Sequence, residues 1–382
     1  MYLLCLLLGI LLVVVVLADA FETMILPRTA TRQVRLTRFF YFFVGRIQAF
    51  VLRILGNRDI RDTLLNIYAP LSLIGLLLFW AIMLILGFAL VQYGLRLPLS
   101  GNQLHQDIGA YLYFSGVTFL TLGFGDITSS TGIGRFLSVL EAGVGFGFLA
   151  VVISYLPVLY QSFSRREVTI CMLDARAGSP PTAAELLRRH GHCGNMQELC
   201  ELLKEYERWA AELLESYLSY PILAFYRSQH DQQSWLSAMV AILDTCTLLR
   251  LRLQGDPEWQ PRLQWQAYLT FAIARHTLID LALILFEKPK PDIPERLSES
   301  DWQRLTQVLA ESGMPLEKID TETRKQLDAM RQLYEPFAYA LAQRLFLELP
   351  PWIADESASD NWQTSAWEYE GHLARSNRGE RP

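Results

Sequence analysis

The stretch TLGFGD, residues 121–126, decides how the first half of this chain folds. It ends the longer run GAYLYFSGVTFLTLGFGD at residues 109–126, which is too short and too glycine-rich at its end to cross a membrane. The first part of this run predicts a short helix, and the second part alternates glycine with apolar residues. Glycine adopts positive φ at little cost, so Gly123 and Gly125 permit a backbone whose dihedral angles alternate in sign.

Three apolar runs surround this stretch and predict membrane-spanning helices. Residues 2–18 and 69–92 hold no charge, and residues 133–160 hold only Arg135 and Glu141. A spanning helix needs about 20 mainly apolar residues, with a range of about 17–25. The fold class predicted is therefore an all-α membrane protein with three spans, a re-entrant pore loop between the second and third spans, and an all-helical cytoplasmic domain.

The charge of the chain is divided unevenly between its two halves. Residues 1–164 carry ten arginines, no lysine and seven acidic residues, whereas residues 165–382 carry 24 basic and 32 acidic residues. Over all 382 residues, 51% are hydrophobic and 19% are charged, against about 25% charged in an ordinary soluble protein. These figures argue against a disordered or collagen-like chain, and the averages describe neither half.

The arginines predict the orientation of the spans. Ala18-Asp19-Ala20 resembles a signal-peptide cleavage site, but the first basic residue is Arg28, so no basic segment precedes the apolar run. We expect a retained helix whose N-terminus lies outside, with Asp19 and Glu22 at the interface. Basic clusters stay on the cytoplasmic side of a membrane. We therefore expect the chain after the pair Arg165-Arg166 to lie in the cytoplasm. We expect the membrane to be the plasma (inner) membrane.

The segment after the first span predicts an amphipathic helix that lies in the inner membrane interface. Its arginines fall on one side of a helical wheel and its apolar residues on the other. The first set is Arg35, Arg38, Arg46 and Arg53, and the second is Phe40, Val44, Ile47, Val51 and Leu55. Such a helix places its arginines near anionic lipid headgroups. Packing against the cytoplasmic domain is the alternative.

Residues 64–165 resemble the potassium channel pore-domain family, with an outer helix, a pore helix, a filter and an inner helix in that order. TLGFGD is the most specific part of the resemblance. It implies K⁺ as the permeant ion and a homotetramer, since one chain supplies one pore loop. It also implies that backbone oxygens line the ion path. The filter residues are Thr121, Leu122, Gly123, Phe124 and Gly125.

The chain departs from the family pattern around the filter. Leu122 replaces the usual Val and Phe124 the usual Tyr, so a weakly selective cation channel remains an alternative. We expect both side chains to brace the filter against the pore helix. Asp126 follows the filter at the outer mouth. Some family members pair this Asp with a pore-helix Glu, but Val117 occupies that position here, so we expect Asp126 to be solvated.

The inner helix carries three candidate gating residues. Gly143 lies where many potassium channels have a gating glycine, although Gly143 and Gly147 equally suit close helix packing. Pro157 removes one backbone donor near the cytoplasmic end of the helix. Glu141 is an ionisable group inside the membrane. It either lines the cavity or supports the filter from behind by hydrogen bonding to the pore helix.

The second half predicts helices over residues 166–354 and a disordered tail over 355–382. Residues 268–286 are apolar enough for a fourth span, but Arg275, His276 and Asp280 favour a buried helix of a soluble domain. No nucleotide-binding motif and no catalytic constellation is recognisable, so we expect no enzyme, no cofactor and no nucleic-acid partner. A membrane scaffold that does not conduct remains the second alternative. The predicted domains are 1–27, 28–63, 64–165, 166–354 and 355–382.

Overall fold

The computed structural model describes residues 1–24, 36–54, 58–101, 106–194, 196–228, 233–251 and 258–354. The chain forms two compact units, Met1–Gln161 and Ser162–Pro382. Several sequence predictions fall outside the described residues: those on Arg28, Arg35 and Leu55, on the side chain of Arg53, and on the disordered tail.

The first unit contains the elements that surround the TLGFGD stretch. Its helices are α1 (Tyr2–Met24), α2 (Leu36–Ile54), α3 (Arg58–Gly94), α4 (Ile108–Phe119) and the start of α5 (Gly132–Ala177). Two short strands, β1 (Leu99–Ser100) and β2 (Thr128–Ser129), pair antiparallel with Leu99 opposite Ser129.

The regular elements of the second unit are helices over its described residues. After the end of α5 come α6 (Ala183–Cys193), α7 (Met196–Ser219), a 3₁₀ turn (Pro221–Phe225), α8 (Trp235–Arg250), α9 (Gln260–Ile284), α10 (Glu299–Glu311), α11 (Thr321–Arg331) and α12 (Glu335–Leu345). The fold is that of an all-α membrane protein, as predicted.

Four described helices are long and apolar enough to cross a membrane. They are Tyr2–Met24, Thr63–Gly94, Gly132–Ala177 and Gln260–Ile284. The first three contain the predicted spans, and the fourth is α9.

Helix α9 packs within the second unit along one face. The hydroxyl groups of Thr270 and Thr277 donate to Leu203 O and Ala210 O of α7, each at 3.0 Å. Both pairs are separated by seven residues in the same direction, so α9 runs parallel to α7. The buried face of α9 is therefore held by a helix that is itself rich in charged residues, and the assignment of α9 to a soluble domain stays a prediction.

Close backbone contact joins the first span to the outer helix. A Cβ atom added to Gly9 of α1 would lie 2.7 Å from the carbonyl oxygen of Gly87 on α3. Small residues let helices approach closely in a membrane, where packing replaces the hydrophobic effect as the driving force. The pair Gly9 and Gly87 therefore fixes where α1 crosses α3.

Asp19 is buried against neighbouring helices, and its predicted place at the membrane interface stays a prediction. Its side chain is 4% exposed, and its Oδ2 accepts from Trp80 Nε1 at 3.0 Å. The same oxygen accepts from the backbone N of Thr37 at 3.0 Å and from its hydroxyl at 2.6 Å. Thr37 lies in the first turn of α2, where backbone N–H groups lack helical partners and a negative charge is favourable. Asp19 therefore caps α2 from a different helix.

Helix α2 exposes more apolar surface than its helical wheel predicts. Phe40 packs against Phe79 of α3, with ring centroids 5.6 Å apart. The predicted apolar side is divided, since Phe40 and Val44 are half-buried whereas Ile47 and Val51 are exposed. Further large apolar side chains of this helix are also exposed, namely Phe39, Phe42, Phe43, Phe50 and Ile54.

Arg166 is not exposed to solvent, although it belongs to the basic pair Arg165-Arg166. It is buried, and its Nη1 donates to the Tyr217 hydroxyl at 2.8 Å and to Leu223 O at 3.0 Å. Its Nη2 donates to Tyr226 O at 2.9 Å. Burial raises the pKa of Tyr217 to about 12, and the positive charge of Arg166 opposes that rise. Arg166 thus fastens α5 to α7 and the 3₁₀ turn within the second unit.

A buried charge network organises the core of the second unit. Helix α8 is buried from Trp235 to Leu249, and it contains the carboxylate of Asp244. Arg296 reaches this carboxylate at 2.7 Å and Glu335 at 2.6 Å, and the Tyr334 hydroxyl also bonds to Asp244. Burial raises the pKa of Asp244, and Arg296 opposes that rise.

Removing the cation of this network should strongly destabilise the chain. We expect Arg296→Met to lower the free energy of unfolding by about 3–5 kcal/mol, because the buried carboxylate of Asp244 loses its cationic partner and Glu335 keeps only Arg331, 3.2 Å away. The control is Arg304→Met, since Arg304 lies 3.8 Å from Asp301 in an exposed ion pair. Its cost should stay below about 1 kcal/mol. Chemical unfolding of the purified chain in detergent measures both, and equal costs would contradict the network.

Candidate ion-conduction site

Helix α4 carries the backbone into the filter. It begins at Ile108 because the Asp107 side chain accepts from the backbone N of Ala110 at 2.9 Å and caps its first turn. It ends at Phe119, and the backbone N of Leu120 still donates to Gly116 O at 3.0 Å. This is the short helix predicted before TLGFGD.

The filter backbone alternates as its glycines predict. Gly123 and Gly125 have φ values of +62° and +76°, and Thr121 has a φ of +55°. Positive φ at every second residue turns successive carbonyl groups toward one side of the strand. The sequence foretold this for the two glycines but not for Thr121, because a β-branched residue rarely adopts positive φ.

Two backbone hydrogen bonds tie the filter to the end of α4. The backbone N of Thr121 donates to Thr118 O at 3.0 Å, and that of Leu122 donates to Val117 O at 2.9 Å. These bonds hold Thr121 in its unusual conformation. The position of the filter therefore depends directly on the position of α4.

Leu122 and Phe124 do not brace the filter against their own pore helix. Their side chains are 54% and 65% exposed in the single chain. All residues from 120 to 126 are exposed in the same way. The brace against a pore helix expected of these two side chains therefore stays a prediction.

Asp126 has a partner, in contrast to the predicted solvated carboxylate. The hydroxyl of Tyr113 on α4 donates to Asp126 Oδ2 at 2.8 Å. The family pattern indicates position 117 for the partner of Asp126, which is Val117 here. The partner in the structure is Tyr113, one helical turn earlier. The Tyr113–Asp126 hydrogen bond links the outer end of the filter to the pore helix.

The loops beside the filter are tied together as well. The β1–β2 pair joins the segment before α4 to the segment after the filter. The Tyr111 hydroxyl donates to Leu97 O at 2.7 Å, and the ring of Tyr111 is buried against Ala89 and Phe114. No sequence pattern predicts these strands, since each has only two residues.

Glu141 lies behind the pore helix and is hydrogen-bonded to it. This is the second of the two arrangements predicted for Glu141, in which it supports the filter from behind. It is fully buried on α5. Its Oε2 accepts from Gln92 Nε2 of α3 at 2.7 Å, and its Oε1 is hydrogen-bonded to the Ser115 hydroxyl of α4. Glu141 thereby connects the inner helix, the outer helix and the pore helix at one point.

Gly145 packs against the end of the pore helix, although sequence reasoning singled out Gly143. A Cβ atom added to Gly145 would lie 2.0 Å from Phe119 O, whereas one added to Gly143 or Gly147 would meet nothing within 4 Å. Helix α5 continues through Pro157 to Ala177. The gating roles of Gly143 and Pro157 remain predictions.

Comparison with known proteins identifies this region. Residues 72–161 match the family model described as "Ion channel". These residues form an ion channel domain. The matched segment includes most of α3, all of α4, the filter and the first part of α5.

Two relatives are similar to a part of this chain. Protein LctB of Bacillus caldotenax is 33% identical over 85 residues, which make up 20% of this chain and 63% of that protein. Protein LctB of Geobacillus stearothermophilus is 28% identical over 125 residues, 30% of this chain and 92% of that protein. The chain thus spans less than two thirds of the first relative. No solved structure matches the chain.

The close approach of Gly145 to Phe119 can be tested by adding one methyl group. We expect Gly145→Ala to destabilise the purified chain by about 1–3 kcal/mol, because the added carbon overlaps the backbone of the pore helix. Gly143→Ala is the matched control on the same helix and should leave stability unchanged. Thermal unfolding in detergent compares the two. Equal stability of both variants would show that Gly145 has no packing role.

Proposed function

We propose that this chain forms a K⁺-selective channel that conducts potassium passively through a homotetrameric TLGFGD filter. The alternation of positive φ at Thr121, Gly123 and Gly125 carries the proposal. A K⁺ ion gives up its water only where rings of oxygen atoms replace it. A backbone whose carbonyl groups turn to one side supplies one quarter of each such ring.

The exposure of the filter supports four copies rather than one. Irregular backbone at membrane depth is tolerated only where it is buried in protein or lines a water-filled path. Leu122 and Phe124 are exposed in the single chain. Neighbouring copies around an axis would cover these side chains and close the carbonyl rings.

The pore helix adds an electrostatic contribution. The C-terminal end of a helix carries a partial negative charge. Helix α4 ends at Phe119, immediately before the filter. Four such ends around an axis would favour a cation beneath the filter, and the carboxylate of Asp126 would concentrate cations at the outer mouth.

The proposed topology places the N-terminus outside and residues 166–354 in the cytoplasm. Helix α2 then lies at the inner membrane surface. Its exposed phenylalanines would enter the lipid, and arginines such as Arg38 and Arg46 would face anionic headgroups. The helical cytoplasmic domain would assist assembly or gating of the channel.

A weakly selective cation channel is the second candidate function. Phe124 has no hydroxyl group, and the Tyr113 hydroxyl is engaged by Asp126. The filter therefore has fewer side-chain hydrogen bonds to hold its diameter than a filter with Tyr in place of Phe124 would have.

A flux assay tests conduction directly. The wild-type chain in liposomes should pass K⁺, and Gly123→Ala should reduce the flux at least about tenfold, because each of four subunits would force a side chain into positive φ at a cost of about 1–2 kcal/mol. Gly45→Ala on α2 is the control, since a Cβ there meets nothing within 4 Å. Full flux through Gly123→Ala would refute the filter assignment. Silent wild-type protein would favour a scaffold that does not conduct.

The number of subunits can be measured independently of conduction. Native mass spectrometry of the purified chain, released from detergent, should give the mass of four 43.7 kDa chains. A monomer or dimer under conditions that preserve K⁺ flux would contradict the tetrameric filter.

A further inference from the structure

Three buried polar side chains meet behind the filter and contribute to no proposed step of conduction. Glu141 of α5, Ser115 of α4 and Gln92 of α3 are all buried within the single chain. Buried polar groups are almost always hydrogen-bonded, so the donors and acceptors at such a junction can be counted. That count determines the protonation state of Glu141.

Gln92 accounts for one of the two carboxyl oxygens. Its Nε2 donates to Glu141 Oε2 at 2.7 Å. An amide nitrogen can only donate, so Oε2 is an acceptor and carries no proton. Oε2 is therefore the carbonyl oxygen of the group if Glu141 is neutral.

The hydroxyl group of Ser115 contacts two oxygen atoms, but it has only one proton to donate. Its Oγ is 2.8 Å from the carbonyl oxygen of Ile85 on α3, and it is also hydrogen-bonded to Glu141 Oε1. The carbonyl of Ile85 can only accept, so that contact uses the proton of Ser115. The second hydrogen bond then needs a proton on Glu141 Oε1.

The surroundings of Glu141 favour the same state. Among the described residues its partners are Ser115 and Gln92, neither of which is charged, and no basic side chain pairs with it. A buried carboxylate without a cation bears a large desolvation cost. The neutral acid avoids that cost and is compatible with the three hydrogen bonds of the junction.

We infer that Glu141 is a protonated carboxylic acid that positions the pore helix. It donates to Ser115, Ser115 donates to Ile85 O, and Gln92 donates to the carbonyl oxygen of Glu141. This chain of hydrogen bonds joins α5, α4 and α3 six residues before the filter begins at Thr121. Glu141 is a positioning residue, because it acts on the filter through α4. Its effect on conduction rests on the proposed channel function.

Two substitutions of Glu141 distinguish whether its side chain is a neutral acid or a carboxylate. The side-chain amide introduced by Glu141→Gln has the shape of the acid, can donate to Ser115 and can accept from Gln92. Glu141→Leu has a similar size but forms no hydrogen bond. Ser138→Ala is the control on the same helix, because the Ser138 hydroxyl donates to Gly134 O of its own helix.

Infrared spectroscopy reads the protonation state without any measurement of flux. The full-length protein in lipid vesicles at neutral pH should show the C=O stretch of a protonated carboxylic acid that is lost in Glu141→Gln and retained in Ser138→Ala. Loss of a carboxylate band in Glu141→Gln, with the acid band unchanged, would overturn the assignment. This result stands even if the wild-type protein passes no K⁺, so the two proposals fail separately.

K⁺ flux in liposomes tests the positioning role. We expect Glu141→Gln to conduct within about twofold of wild type, and Glu141→Leu to lose at least about tenfold, because Ser115 and Gln92 lose their shared partner. Conduction by Glu141→Leu equal to wild type would exclude the role, as would loss of conduction in Glu141→Gln. If Glu141→Leu does not assemble, the comparison of Glu141→Gln with wild type still decides.

Discussion

In the proposed channel, the need to replace the water around an ion with protein oxygen atoms constrains the ion channel domain. Backbone carbonyl groups meet this need only if they turn toward one axis, and such a backbone requires positive φ at alternate residues. Thr121, Gly123 and Gly125 have that conformation. An irregular strand of this kind has no ladder of its own to stabilise it, so the surrounding helices must hold it in place.

The surrounding structure holds the filter at several points along its length. At the inner end, Gly145 of α5 lets the backbone of Phe119 approach closely. At the outer end, the Tyr113 hydroxyl holds the carboxylate of Asp126. Behind the pore helix, Glu141 joins three helices through side-chain hydrogen bonds. Each contact involves α4 or its C-terminal end, so the pore helix transmits the position of the outer and inner helices to the filter.

Local patterns in the sequence predict the helices and the filter conformation. They do not predict contacts between residues that lie far apart in the sequence. Apolar runs predicted the spans, and glycine spacing predicted positive φ at Gly123 and Gly125. Asp19 caps α2 from another helix, a contact that no local pattern reveals. Spacing along one helix indicates Gly143 and Gly147 for close packing and does not show that Gly145 meets the backbone of Phe119. The exposure of Phe124 is consistent with the proposed filter, which needs further copies of the chain.

The reversal potential of the reconstituted channel tests the central claim most directly. With K⁺ on one side of a bilayer and Na⁺ at equal concentration on the other, a filter of backbone carbonyl rings should pass K⁺ almost alone. The account predicts a reversal potential far from zero, with the sign set by the K⁺ gradient. A value near zero would contradict K⁺ selectivity and identify a weakly selective cation channel.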